Sequence, residues 1–215
     1  MRNLTAKKQF LTVCLFICSF ITSQVFAQSG TTTVRNTPAP VKVKTENFPK
    51  QIQVEGVKLS LNGLGTRYKA IFKVYDMGLY TSSKASNLQD FISLPGPKKL
   101  HFIAQREIST TELGLLFYRG IKENNSADLN LKHASSALRM SEIASGRAKI
   151  MPGESFSMEF VPGKGLSFYI MDKQQGSPVG DAEFFFMVLS IWLGNAPADY
   201  MLKDALLGVQ KSDRS

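Results

Sequence analysis

A chain of 215 residues is long enough for one domain with a sizeable core. Its content, 43% apolar and 20% charged, excludes disordered and collagen-like classes. The 26 Lys and Arg against 17 Asp and Glu give a net charge of +9, but the lysines are scattered and no nucleic-acid motif accompanies them, so nucleic acid is not an expected partner.

The first 27 residues have the pattern of a secretory signal peptide. Arg2, Lys7 and Lys8 make a positive start, FLTVCLFICSFITSQVFA is the apolar run, and Val25-Phe26-Ala27 is a small-x-small cleavage site. Thr22, Ser23 and Gln24 interrupt the run, which disfavours an uncleaved membrane anchor. Cys14 and Cys18, the chain's two cysteines, both lie there. A chain cut after Ala27 therefore has no disulfide and no thiolate chemistry, which suits an exported or periplasmic protein. The segment carries three basic residues and no acid, leaving 23 against 17, or +6. Such a surface is solvated and leaves weak attraction to anionic lipid headgroups open.

Residues 28–50 are rich in Thr, Pro and Lys and read as a flexible leader, so the domain is expected over 51–210. IQVEGVKLSL then alternates like a strand, glycines at 63 and 65 predict a turn, and 67–80 alternates again as one strand. On that reading Arg67, Lys69, Ile71, Lys73 and Tyr75 share one face of a single strand. A further strand is expected over 98–108.

Ser109 with Glu112 three residues later is a capping box, and the apolar positions at 113, 116, 117 and 121 give a helix. A second helix is expected over 127–143, then a hairpin of strands at 148–161 and 166–171 joined through VPGKG. DAEFFFMVLSIWLG at 181–194 is apolar nearly all round, which predicts a buried helix, and a last short helix ends at Gly208. This order points to an α+β fold, a mainly antiparallel sheet with a layer of helices on it.

GLGTR at 63–67 lacks the third glycine of a dinucleotide loop and precedes a strand, so it does not cradle a phosphate. His101 and His133 are far apart and carry no metal-ligand spacing, and no cofactor motif is present. No G-x-S-x-G elbow marks a serine nucleophile. Phe184–Phe186 and Trp192 read first as core, with a pocket wall as the second possibility.

Taken together, GxGxR at 63–67, FKVYDMGLY at 72–80, QREIS at 105–109 and IWLGNAPADYMLKDALLG at 191–208 resemble the chalcone isomerase-like proteins, in particular their secreted bacterial branch. The resemblance implies an open-faced β-sandwich with a ligand cleft between sheet and helices. It also implies that Arg67 matches the arginine that polarises a substrate carbonyl in the plant enzymes, and that Tyr75 stands near the position of a threonine that places a water. The remaining catalytic positions depart from the pattern. The active-site tyrosine falls at Leu113, the asparagine at Gly120, and the late-helix polar pair at Ile191 and Trp192; Tyr118 is offset from the cleft-facing arc.

The expected function is a secreted, non-catalytic binding protein for a fatty acid or similar amphipathic molecule. Arg67 and Tyr75 supply polar contacts, and Ile71, Leu113, Phe117, Ile191 and Trp192 an apolar lining. The alternatives are an intramolecular lyase or isomerase of an enone, with Arg67 as electrophile, and an envelope interaction protein using the fold as scaffold. A buried Arg67 needs a carboxylate or several carbonyls: either an internal partner such as Glu107 or Asp76, or a bound anionic ligand. Oligomeric state is left open.

Overall fold

The computed structural model describes residues 45–209. The expected signal peptide and most of the leader lie outside the described residues. The end of the leader is packed: a 3-10 turn at Thr45–Asn47 delivers Phe48, which is buried and whose ring meets His101 edge-on at 5.4 Å. The ordered domain thus starts before Gln51.

In chain order the elements are β1 (Gln51–Val54), β2 (Val57–Lys69), β3 (Phe72–Thr81), α1 (Leu88–Ser93), β4 (Lys98–Ala104), β5 (Ile108–Ser109) and α2 (Thr110–Asn124). They continue with α3 (Ala127–Lys132), α4 (Ala134–Ala144), β6 (Lys149–Ile150), β7 (Ser155–Val161), β8 (Gly165–Ile170), β9 (Lys173–Val179), α5 (Ala182–Leu193) and α6 (Tyr200–Leu207). Seven strands form one antiparallel sheet in the order β1-β2-β3-β4-β7-β8-β9, and β5 and β6 form a small separate ladder. This is the expected α+β architecture.

Register makes the core. Leu79, Leu100, Met158 and Phe168 align across four strands, as do Met77, Phe102, Phe156 and Ile170. Because side chains alternate between faces, these two rows point to one side, where α2, α4 and α5 cover them with Leu113, Phe117, Met140, Phe184, Phe185 and Trp192. From Phe184 to Leu193 helix α5 is buried except for the part-exposed Phe186, which explains an apolar run interrupted only by Ser190; Asp181 caps it by accepting from the Phe184 N–H at 2.9 Å.

Three expectations need correction. The 67–80 segment is not one strand: the chain turns at Ala70-Ile71, with Ala70 at φ +54°, so β2 and β3 form a hairpin. Without glycine or proline at the turn, the alternation runs on unbroken. Gly63 and Gly65, conversely, lie inside β2 and neither has a positive φ. Their role is close approach: a Cβ on Gly63 would stand 2.2 Å from the Leu206 carbonyl oxygen, and one on Gly65 2.8 Å from the Ala205 Cβ. Helix α6 lies directly on this bare strand. Finally, the helix expected over 127–143 breaks at His133, the strands expected over 98–108 and 148–161 divide into β4 and β5 and into β6 and β7, and β9 and α1 are additional elements.

Helix α6 is fastened to β2 at both ends. A bulge leaves Asn62 outside the β2–β3 pairing, and its amide donates to the Leu206 carbonyl (2.8 Å) and the Ala85 carbonyl (2.9 Å) while accepting from the Ala85 N–H. At the other end Asp199 caps α6 and also accepts from the Tyr68 N–H at 2.9 Å.

Gly63→Ala forces a methyl group into backbone and is expected to cost roughly 3 kcal/mol, the upper part of the overpacking range, read as a lower urea midpoint; wild-type stability would mean that α6 can lift off the strand. His101, on the opposite sheet face, has its pKa lowered from 6.5 to about 4 by burial, with Lys99 adding to the effect. The folded protein keeps this ring neutral while the unfolded chain takes a proton below pH 6.5. Stability present above that pH is therefore lost as pH falls toward 4, by about 3 kcal/mol at most. His101→Phe should remove that share of the acid sensitivity, and an unchanged difference between pH 7 and about pH 4 would contradict it.

Candidate functional site

At the hairpin end of the sheet, Arg67 on β2 pairs in register with Tyr75 on β3. Directly opposed residues share a face, so the two project together, though from neighbouring strands instead of one. The register slips just beyond them, between Arg67 and Tyr68. Both side chains enter a cavity of about 270 Å³ between the sheet, α2, the end of α5 and the Ala196–Ala198 loop.

Six of the seven expected ligand-contact residues line it: Arg67, Tyr75, Leu113, Phe117, Ile191 and Trp192. Ile71 does not; it sits in the hairpin turn and is 84% exposed. The expectation for Ile71 rested on a continuous strand, and the turn at 70–71 removes it from the face of Arg67. Gly120, where the resemblance put an asparagine, also lines the cavity, and a Cβ there would touch Ile191 at 3.0 Å. Leu116, Arg119, Glu123 and Ala196–Ala198 complete the wall and were missed. Leu116, Arg119 and Glu123 follow the spacing of Leu113 and Phe117 along α2, so the helical period could have found them; nothing in the sequence marks the loop.

Tyr75 is the fixed polar point. It is 3% exposed, its ring meets Phe102 edge-on at 5.3 Å, and its hydroxyl accepts from the Trp192 indole N–H at 2.8 Å. Trp192 is held in turn by Phe102 and Phe117 at 5.3 and 5.9 Å. Burial raises the Tyr75 pKa despite the opposing influence of Arg67, so its O–H keeps its proton and remains a donor.

Arg67 is the unsettled one. Its guanidinium stands 5.7 Å from the Tyr75 ring centroid, and its Nε is buried with no hydrogen-bond partner. Neither proposed internal carboxylate reaches it. Asp76 follows Tyr75 and so faces the other side of the sheet, where it accepts from Thr66 Oγ1 at 2.5 Å and Gln105 Nε2 at 2.8 Å, with its pKa raised by burial. Glu107 pairs with Lys149 at 2.7 Å. Among the described residues Arg67 makes no ion pair. Two larger grooves, about 530 and 570 Å³, lie elsewhere, but no unsatisfied buried polar side-chain atom lines either among the described residues. No cluster of described residues could hold a metal ion, and no described helix is long and apolar enough to cross a membrane.

Residues 40–208 match the model of a family described as chalcone isomerase-like. No curated protein matches the chain. Among solved structures, the crystal structure of a fatty-acid binding protein from Arabidopsis thaliana superposes with a TM-score of 0.60 at 16% identity, over 79% of this chain and 96% of that one. At that identity the likeness is one of fold.

Tyr75→Phe strands the buried Trp192 N–H without its acceptor. It should lower stability by about 1–3 kcal/mol in urea denaturation, the cost of an unmet buried donor; no loss would mean the indole finds another acceptor.

Proposed function

The chain belongs to the chalcone isomerase-like family, and from that premise we propose that it is an exported, non-catalytic protein that binds a small amphipathic acid of the fatty-acid kind in the Arg67 cavity. The observation that carries the reading is the buried Arg67 Nε with no acceptor beside apolar walls. Arg67 is part-buried and makes no ion pair among the described residues, and a buried donor left unmet is costly; a carboxylate supplies the missing acceptor in a charge-assisted bond. The Tyr75 hydroxyl, already oriented by Trp192, donates to the second carboxylate oxygen.

The walls support this class of ligand. Leu113, Leu116, Phe117 and Ile191 offer only hydrocarbon to a chain. A volume of about 270 Å³ holds the space of about nine waters at ~30 Å³ each, enough for a head group and a chain of medium length. The fatty-acid binding of the Arabidopsis protein with this fold agrees with the proposal. Export rests on the signal-peptide pattern of residues 1–27.

One observation favours catalysis instead: Arg67 and the Tyr75 hydroxyl converge on a single cavity and could together polarise a carbonyl. Against it, the positions at which the resemblance expects a tyrosine, an asparagine and a late-helix polar pair are Leu113, Gly120, Ile191 and Trp192, and all four line the cavity. A Tyr75 proton kept in place by burial serves better as a donor than in transfer.

Trp192, the chain's one tryptophan, lines the cavity and reports occupancy. Decanoate should change its fluorescence with saturation, and Arg67→Ala should weaken binding roughly tenfold to a hundredfold, as loss of a charged hydrogen bond implies. Equal affinity of the variant would remove Arg67 from the function. Cyclisation of a chalcone above its spontaneous rate, abolished in the same variant, would decide for the isomerase.

A further inference from the structure

We infer that the tip of the β2–β3 hairpin, with Ile71 and Phe72 at its end, is a docking surface for an anionic lipid bilayer beside the ligand cavity. Single exposed apolar side chains are ordinary on a protein surface, but contiguous ones mark contact sites. Ile71 is 84% and Phe72 63% exposed, adjacent in the chain and at the turn of a projecting hairpin.

The tip does not stand alone. Lys69 Nζ lies 3.7 Å from Glu112 in the first turn of α2, which brings the hairpin beside the helix that carries the exposed Leu115. The Tyr68 N–H is bonded to Asp199, which places the start of α6, with exposed Tyr200 and Met201, at the same end of the molecule. The elements that carry these side chains also wall the cavity, through Arg67, Leu116, Arg119 and Ala196–Ala198.

Charge selects the occupant. Lys69 and Lys73 bracket Ile71-Phe72, with Arg119 on the neighbouring helix face. Glu112 is met by Lys69, Lys73 is part-buried with Asp76 as a charged neighbour, and Arg119 is exposed. Apolar side chains at a tip ringed by long cationic ones suit a bilayer interface, the former entering the acyl boundary while the latter stay among anionic headgroups. A protein partner with a matching acidic groove is the rival occupant. That the contact lets an acyl ligand pass between bilayer and cavity rests on the binding function proposed above; the contact itself does not.

The test uses the chain from Gln28 to Ser215, which lacks the apolar N-terminal run and contains the whole matched region 40–208. It should co-sediment with phosphatidylglycerol vesicles, much less with phosphatidylcholine vesicles, and less as salt is raised. Ile71→Ser with Phe72→Ser should weaken vesicle binding by at least about tenfold, and Lys73→Glu should weaken it selectively for phosphatidylglycerol. Ile71 and Phe72 are exposed at the hairpin end and Lys73 is the second residue of β3, outside the cavity wall, so an unchanged circular dichroism spectrum and an unchanged decanoate response of Trp192 accompany the loss. Vesicle binding by the double variant equal to wild type, or none by wild type on either lipid, overturns the docking surface. If decanoate leaves wild-type Trp192 fluorescence unchanged while vesicle binding still depends on Ile71 and Phe72, the binding function fails and the docking surface stands.

Discussion

The contact on which the site depends is that of α6 with the bare backbone of β2. Gly63 and Gly65 let the helix approach to where any Cβ would strike Leu206 or Ala205, and the Asn62 and Asp199 hydrogen bonds tie its ends to the strand. Arg67 follows two residues after Gly65, so the register that seats the helix also decides where the guanidinium emerges. The loop before α6 then closes the cavity with Ala196–Ala198. Two missing side chains in a strand thus shape a hollow several residues away.

Within that frame the two polar groups differ in kind. Tyr75 is satisfied: burial keeps its proton, Trp192 donates to its oxygen, and the surrounding rings hold both in place. Arg67 is not, because its Nε lies buried without an acceptor while Asp76 and Glu107 are committed elsewhere. A folded chain tolerates few such groups without a reason. Fixed donor and unpaired cation together fit a ligand's acid group, and the apolar residues around them fit its chain.

Much of this was legible in the sequence. The capping box from Ser109 located α2, the apolar run over 181–194 located α5 and the closing Gly208 located α6, because local hydrogen bonds, burial and left-handed glycine leave a residue-level signature. Six of the cavity residues were also identified, through the resemblance more than through any periodicity. What escaped is what long-range packing decides. Ala70 turns the hairpin without glycine or proline, so Ile71 was assigned to the cavity although it stands in solvent. The glycines of β2 read as a turn because only the seated α6 explains them. Strand β9, with its Gln, Gly and Pro, has no apolar alternation because it is the sheet's edge, where Pro178 disturbs no inner ladder.

The most direct test of the central claim, that Arg67 awaits a ligand's acid group, is a crystal structure with decanoate. The account predicts the carboxylate within hydrogen-bond distance of Arg67 Nε and the Tyr75 hydroxyl, with the chain lying along Leu113, Phe117 and Ile191. An empty cavity, with the guanidinium turned onto Asp199 or another of the protein's own carboxylates, would contradict it.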